Sequence, residues 1–166
     1  MSQHTFFIAP TGFGVGLTST SLGLIRALER TGLRVHFLKP IAQTLRSPNA
    51  RESGGLSGPP LFERSTELIS RTLGLTPPPA MPLAQVEHLL AIGELGDLME
   101  EMVGRYQQAA QDADVVVVEG MVPTRQSSYT AQINQALAKS LDADVILVTT
   151  PDGDDMATLA DRIEIH

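Results

Sequence analysis

The feature that most constrains the fold is a short apolar run, Phe6-Phe7-Ile8-Ala9, which ends at Pro10 and opens into the glycine-rich stretch Thr11-Gly12-Phe13-Gly14-Val15-Gly16-Leu17-Thr18. A run that is apolar at every position suits a parallel strand buried on both faces, and it here feeds directly into a loop. From Thr18 the spacing becomes helical, with Leu22, Ile25 and Leu28 on one face, Thr18 or Ser19 available as an N-cap, and Gly32 just past the end. Val35, Phe37 and Leu38 read as a second strand that delivers Lys39 and Pro40 at its carboxyl end. Strand, helix and strand make one crossover unit, complete by residue 40.

The same alternation continues along the chain. Val115-Val116-Val117-Val118 is four consecutive β-branched residues, the pattern of a strand with no solvent face, and it ends at Glu119-Gly120. Helical spacing predicts helices over Glu63–Leu73 (closed by Gly74), Leu83–Leu90, Leu95–Ala110 and Thr130–Leu141, and a strand over Val145–Val148. Met99 and Met102 fall on the apolar stripe of their helix, where methionine fills core gaps. A last helix is expected from Asp154 to His166; it ends uncapped and still apolar at Ile163 and Ile165, so the natural polypeptide is expected to continue. Strands alternating with helices predict an α/β domain, a mostly parallel sheet with helices on both faces. A chain of 166 residues suits one such domain. Residues 46–62 are set apart as a mobile loop, because Arg46 to Pro60 is rich in Gly, Pro and Ser.

Composition narrows the function classes. Twelve basic against 19 acidic residues give a net charge of −7, which argues against a nucleic-acid partner. With no cysteine there is no disulfide, thiolate chemistry or cysteine-ligated metal, and His4, His36, His88 and His166 lie far apart without ligand spacing. The start lacks the pattern of a secretory signal, and no run of about 20 apolar residues could span a bilayer. A soluble, cytoplasmic protein with no membrane partner is expected.

A phosphate-binding loop follows a strand, curls its backbone N–H groups around phosphate oxygens and presents them at a helix N-terminus. Thr11 to Thr18 has that context, and its final Gly-x-Thr has the spacing of Gly-x-x-x-x-Gly-Lys-Ser/Thr, the pattern of P-loop NTPase-like three-layer folds. Thr11 stands at the first glycine, and Leu17 stands where the pattern has lysine. Loss of that ammonium removes a charge-assisted contact of roughly 1.5–3 kcal/mol, at least tenfold in nucleotide affinity. Thr11, Gly12, Gly14, Val15, Gly16, Thr18 and Ser19 are the candidate binding residues of this degenerate loop, which could equally be a relic that only closes the strand–helix turn. Lys39, Glu119 and Gly120 complete the candidate crevice: Lys39 as a cation or a solvated lysine, Glu119 as the acid that meets magnesium or as a capping or salt-bridged residue. Arg125 is either a further crevice cation or a surface residue.

The segment Ile8–Arg30 resembles the opening of long bacterial phosphate acetyltransferases, and Phe37-Leu38-Lys39-Pro40-Ile41-Ala42-Gln43, Asp97–Glu101 and Val118-Glu119-Gly120-Met121-Val122-Pro123-Thr124-Arg125 resemble later parts of the same N-terminal domain. That domain is similar to dethiobiotin synthetase, an ATP-dependent carboxylating ligase that has Val-Gly-Lys-Thr where this chain has Val15-Gly16-Leu17-Thr18. The resemblance implies the ligase's fold without its ATP chemistry. Where the ligase places a magnesium-binding aspartate after the second strand, this chain has Thr66 with Glu63 nearby, so no metal site is implied. In the acetyltransferases a separate C-terminal domain interconverts acetyl-CoA plus phosphate with acetyl phosphate plus CoA. The resemblance thus implies a regulatory and assembly domain with no catalytic residues of its own. Its implied partners are that C-terminal domain, further copies in a homo-oligomer, and a small-molecule effector, a weakly bound nucleotide or metabolite. An active ATP-dependent ligase and a ligand-free scaffold are the alternatives.

Because Ser47–Pro60 offers few apolar groups to offset the entropy of ordering it, limited proteolysis of the native chain should cut first at Arg51. Full resistance at Arg51 would mean that another contact pins the segment.

Overall fold

The valine run forms the strand β5 (Val115–Glu119), an inner member of a four-stranded sheet in a computed structural model that describes residues 3–43, 63–124, 128–150 and 160. The strand order is β2-β5-β1-β6, with β1 at His4–Pro10, β2 at Val35–Leu38 and β6 at Asp144–Val148, and every pairing is parallel. All five residues of β5 are buried. Successive side chains alternate between the faces. Val116 and Val118, with Phe7, Ala9 and Leu38, pack against α3 (Leu83–Ala91), α4 (Leu95–Ala109) and α5 (Thr130–Ser140). Val115 and Val117, with Ile8, Val35 and Phe37, pack against α1 (Leu17–Glu29) and α2 (Arg64–Leu73). One sheet between two apolar cores makes the expected three-layer α/β fold, and no helix among the described residues is long and apolar enough to cross a membrane.

Three features differ from the sequence reading. The crossover from β1 through α1 to β2 skips a position, and β5 fills the gap, because a strand apolar on both faces gains most from a central place. A second, two-stranded parallel pair joins β3 (Ile41–Ala42) to β4 (Met81–Pro82); elements of two residues are too short to carry a period. Neither Thr18 nor Ser19 caps α1. The helix begins at Leu17, with Gly16 as its N-cap at φ 84°, and Thr18 turns its hydroxyl to Ser65 of α2 instead. By contrast, α2 starts and stops where expected, with Glu63 as N-cap and Gly74 closing it at φ 73°. The loop expected over 46–62, Arg125, and all of the expected terminal helix except Ala160 lie outside the described residues.

At the amino ends of β2 and β5, Arg34 donates from Nε and its backbone N–H to Asp114 Oδ2 (3.0 and 2.9 Å) and from Nη2 to Oδ1 (2.9 Å). The fork stands beside the Val35–Val115 pair and helps hold its register. The Arg34 guanidinium bond, then the Arg34 N–H, lower the Asp114 pKa from 3.8 to about 2. A carboxyl held below its ordinary value stabilises the fold above that value, and the contribution is lost as pH falls towards 2. Carboxyl-carbon NMR should therefore show Asp114 titrating near 2 in the folded chain and close to 3.8 in Arg34→Ala. An ordinary titration in the unsubstituted chain would mean that the fork does not persist in solution.

Candidate functional site

Ligands of open parallel sheets bind outside the carboxyl ends of the strands. Here the register sets three such ends side by side: Ile8 pairs with Glu119 and Leu38 with Val118, so Lys39 follows β2 next to Glu119 at the end of β5. The loop that leaves β1 is tethered at its start by the Thr11 N–H, which donates to Val148 O of β6 at 3.0 Å, and held from below by buried Val15 and Leu17. Gly14 and Gly16 take φ of 75° and 84°, left-handed values that L side chains rarely adopt. A Cβ at either would meet nothing within 4 Å, so the backbone conformation rather than crowding demands glycine. Gly16 O accepts from the Thr20 N–H at 2.9 Å, no side chain caps the helix, and its first turn carries no acid. The first N–H groups of α1, at Leu17, Thr18 and Ser19, are thus left as the positive end of the helix dipole, the arrangement that attracts an anion.

Leu17, at the position of the motif's lysine, is only 7% exposed and joins the core that contains Val15, Ile25 and Phe37. It anchors the loop to the sheet and brings no charge to its mouth. Thr18 Oγ1 is 2.9 Å from Ser65 Oγ, tying α1 to α2, while Ser19 is exposed.

Lys39 and Glu119 are turned inward. Lys39 is 2% exposed and Glu119 1% exposed; Nζ donates to Gly120 O at 2.6 Å and stands 3.2 Å from Glu119 Oε1. The second carboxylate oxygen, Oε2, is 3.0 Å from Ser21 Oγ, which is also 3.1 Å from Leu17 O. The ammonium expected in the crevice is therefore the partner of a buried carboxylate, because a buried charge is stable only when paired and hydrogen-bonded. Of the readings open for Glu119, the salt-bridged one describes this structure; Lys39 is not a solvated lysine.

Neither Glu119, the one acid read as able to meet magnesium, nor the side chains around it and at the ligase's aspartate position fit a metal as arranged. Both Glu119 oxygens have partners, Thr18 bonds Ser65, and Glu63 is engaged in capping, accepting from the N–H groups of Ser65 and Thr66 and from Thr66 Oγ1. Among the described residues no three His, Asp or Glu side chains are grouped to hold an ion.

Past Glu119 the backbone leaves the sheet, and side chains replace the missing neighbours. Gly120 N–H donates to Ile8 O (2.9 Å). The Asn134 amide both accepts from Met121 N–H (2.8 Å) and donates to Met121 O (2.9 Å), and the Gln43 amide does the same for Val122 at 2.6 and 3.0 Å. At Gly120 a Cβ would lie 3.0 Å from the Phe7 ring and 3.1 Å from Asn134 Oδ1, so any side chain there requires both neighbours to give way. The sequence reading missed Ser21, Gln43 and Asn134. The signal for two of them was a polar residue on an apolar helix face: Ser21 between Leu17 and Ile25, and Asn134 beside Ile133 and Leu137. Asn134→Ala leaves two buried peptide groups unpaired, each at a cost of about 1–3 kcal/mol, whereas the exposed neighbour Gln132→Ala should stay within about 0.5 kcal/mol. Urea unfolding of the two variants checks this; equal midpoints would show that water readily replaces the Asn134 amide.

The sequence profile described as AAA domain matches residues 4–165. Phosphate acetyltransferase of Pseudomonas aeruginosa is 60% identical over 164 residues, which are 99% of this chain but 22% of that protein. The Nitrosomonas europaea phosphate acetyltransferase is 57% identical over the same shares, and that of Escherichia coli is 39% identical over 98% of this chain and 21% of the relative. The chain thus spans about a fifth of the length of these relatives. Among solved structures, the signal recognition particle receptor FtsY of Elizabethkingia anophelis superposes with a TM-score of 0.55 at 20% identity, covering 99% of this chain and 47% of the receptor, a likeness of fold alone. The chain belongs to the AAA domain family, as a P-loop-type domain of the kind that these much longer phosphate acetyltransferases carry.

Proposed function

We propose that this chain is the N-terminal regulatory and assembly domain of a phosphate acetyltransferase, without catalysis of its own. Acetyl transfer between CoA and phosphate would reside in a C-terminal domain of the same polypeptide, and the effector would bind at Thr11, Gly12, Gly14, Val15, Gly16, Thr18 and Ser19, over a floor built by Lys39, Glu119 and Gly120. The observation that carries this reading is the burial of Leu17 in the core. A phosphoryl-transfer site needs preorganised positive charge where charge develops in the transition state. At this loop the motif's lysine is an apolar anchor, and Lys39 already holds Glu119 and Gly120 O. Backbone N–H groups remain, which suit reversible binding of a small anionic metabolite or a weakly held nucleotide better than turnover. The similarity to phosphate acetyltransferases over 99% of the chain supports the parent enzyme, and homo-oligomeric assembly is part of the same proposal.

The test compares the full-length enzyme with a form that lacks residues 1–166. The truncated enzyme should still interconvert acetyl-CoA and acetyl phosphate, while its response to metabolites or its subunit assembly changes. A coupling of about 1–3 kcal/mol corresponds to a shift of roughly 5–150-fold in effector response. Unchanged metabolite response and subunit mass would remove the regulatory and assembly role, and complete loss of acetyl transfer in a folded truncated form would remove the division of labour.

A further inference from the structure

The buried pair at the floor of the crevice has a consequence for metal binding that is independent of the regulatory reading. Glu119 ends an apolar strand beside a loop of phosphate-binding spacing, a place where an acidic residue is set to meet a divalent cation. Its two oxygens nevertheless face Lys39 Nζ at 3.2 Å and Ser21 Oγ at 3.0 Å, and Lys39 is fixed a second time by Gly120 O at 2.6 Å. Both charged side chains are at least 97% buried, so neither has a hydration shell to fall back on if the other is withdrawn. We propose that Lys39 is the resident cation of this site: its ammonium takes the position of a divalent metal against Glu119, and the domain is thereby metal-independent.

A divalent ion entering here would have to displace the ammonium and leave it buried without its counter-ion, which opposes binding. Removing the ammonium reverses the balance, since the carboxylate is then left without its charged partner, beside the Gly120 carbonyl and the Ser21 hydroxyl. Glu119, Gly120 and Ser21 then offer the hard oxygen donors that Mg²⁺ and Mn²⁺ accept, and the volume vacated by the lysine side chain admits the water that completes the shell. The latent metal site is thus exposed by one substitution. This differs from a lysine that merely stabilises the fold, because loss of a merely structural lysine creates no metal affinity.

The experiment titrates the 166-residue chain with Mn²⁺ and follows free ion by electron paramagnetic resonance, for the unsubstituted chain, Lys39→Ala and Lys39→Ala combined with Glu119→Gln. The unsubstituted chain should take up no equivalent at millimolar Mn²⁺. Lys39→Ala should bind one equivalent at least tenfold more tightly than the unsubstituted chain, the double variant should lose it, and Mg²⁺ should compete. Thermal unfolding gives a second readout, with Mg²⁺ raising the Tm of Lys39→Ala and leaving that of the unsubstituted chain unchanged. One Mn²⁺ equivalent in the unsubstituted chain that Glu119→Gln abolishes overturns the proposal, whether or not Lys39→Ala folds. A folded Lys39→Ala that binds no Mn²⁺ and shows no Mg²⁺-dependent Tm also overturns it.

Discussion

Burying β5 on both faces is the constraint from which the rest of the arrangement follows. Its four valines carry no polar side-chain atom, so each face must be covered, and the alternation of Val115 and Val117 with Val116 and Val118 assigns α1 and α2 to one layer and α3, α4 and α5 to the other. A strand so enclosed also has its backbone N–H and C=O groups shut off from water, so both edges need strand partners, and β1 and β2 supply them in parallel. That requirement forces the β1–α1–β2 crossover to leave a gap. It also brings the end of β5 between the loop after β1 and the lysine after β2.

A carboxylate delivered to that place has to be neutralised where it stands. Glu119 is the last residue of a wholly buried strand and has no route to solvent, so its stability depends on Lys39, Ser21 and the geometry that holds them. Such a pair contributes little net stability, because the desolvation of two ions offsets most of their attraction, whereas breaking it costs about 3–5 kcal/mol. Its effect is on position. The pair and the Gly120 carbonyl lock the ends of β2 and β5 to each other, Ser21 extends the lock to α1, and Asn134 and Gln43 carry it on to Met121 and Val122. A loop at the N-terminus of α1 and the segment after β5 are thereby parts of one hydrogen-bonded unit.

Most of the fold was legible in the sequence, because continuous apolar runs and a 3.6-residue period leave few alternatives. The valine strand, the glycine-rich loop and the helix bounded by Glu63 and Gly74 follow from local patterning alone. The order β2-β5-β1-β6 was not legible, since nothing local to β2 says that its neighbour lies some 80 residues away in sequence. The candidate crevice was legible as a set of residues, but the direction of its side chains was not. Lys39 reads as an exposed cation until the register places it opposite a carboxylate that cannot leave the core. Likewise Leu17 stands at the lysine position of the motif, while its second role as the apolar anchor of the loop depends on the helix starting at least two residues earlier than its hydroxyl residues suggest.

That early start bears on what sort of ligand the proposed effector site would hold. With Gly16 as the cap, the first N–H groups of α1 are free of side-chain acceptors, and a helix N-terminus contributes about 0.3–1 kcal/mol towards an anion, up to about 2 in a partly buried setting. A lysine ammonium adds roughly 1.5–3 kcal/mol on top of this, and Leu17 supplies none of it. A polyphosphate therefore meets the dipole of one helix and a chain of net charge −7. A smaller anion of one or two charges loses far less from the missing lysine, because the N–H cradle alone can satisfy its oxygens. For the proposed effector site, the balance of terms favours a small anion over a nucleoside triphosphate, and the buried pair beneath the loop keeps its floor neutral towards either.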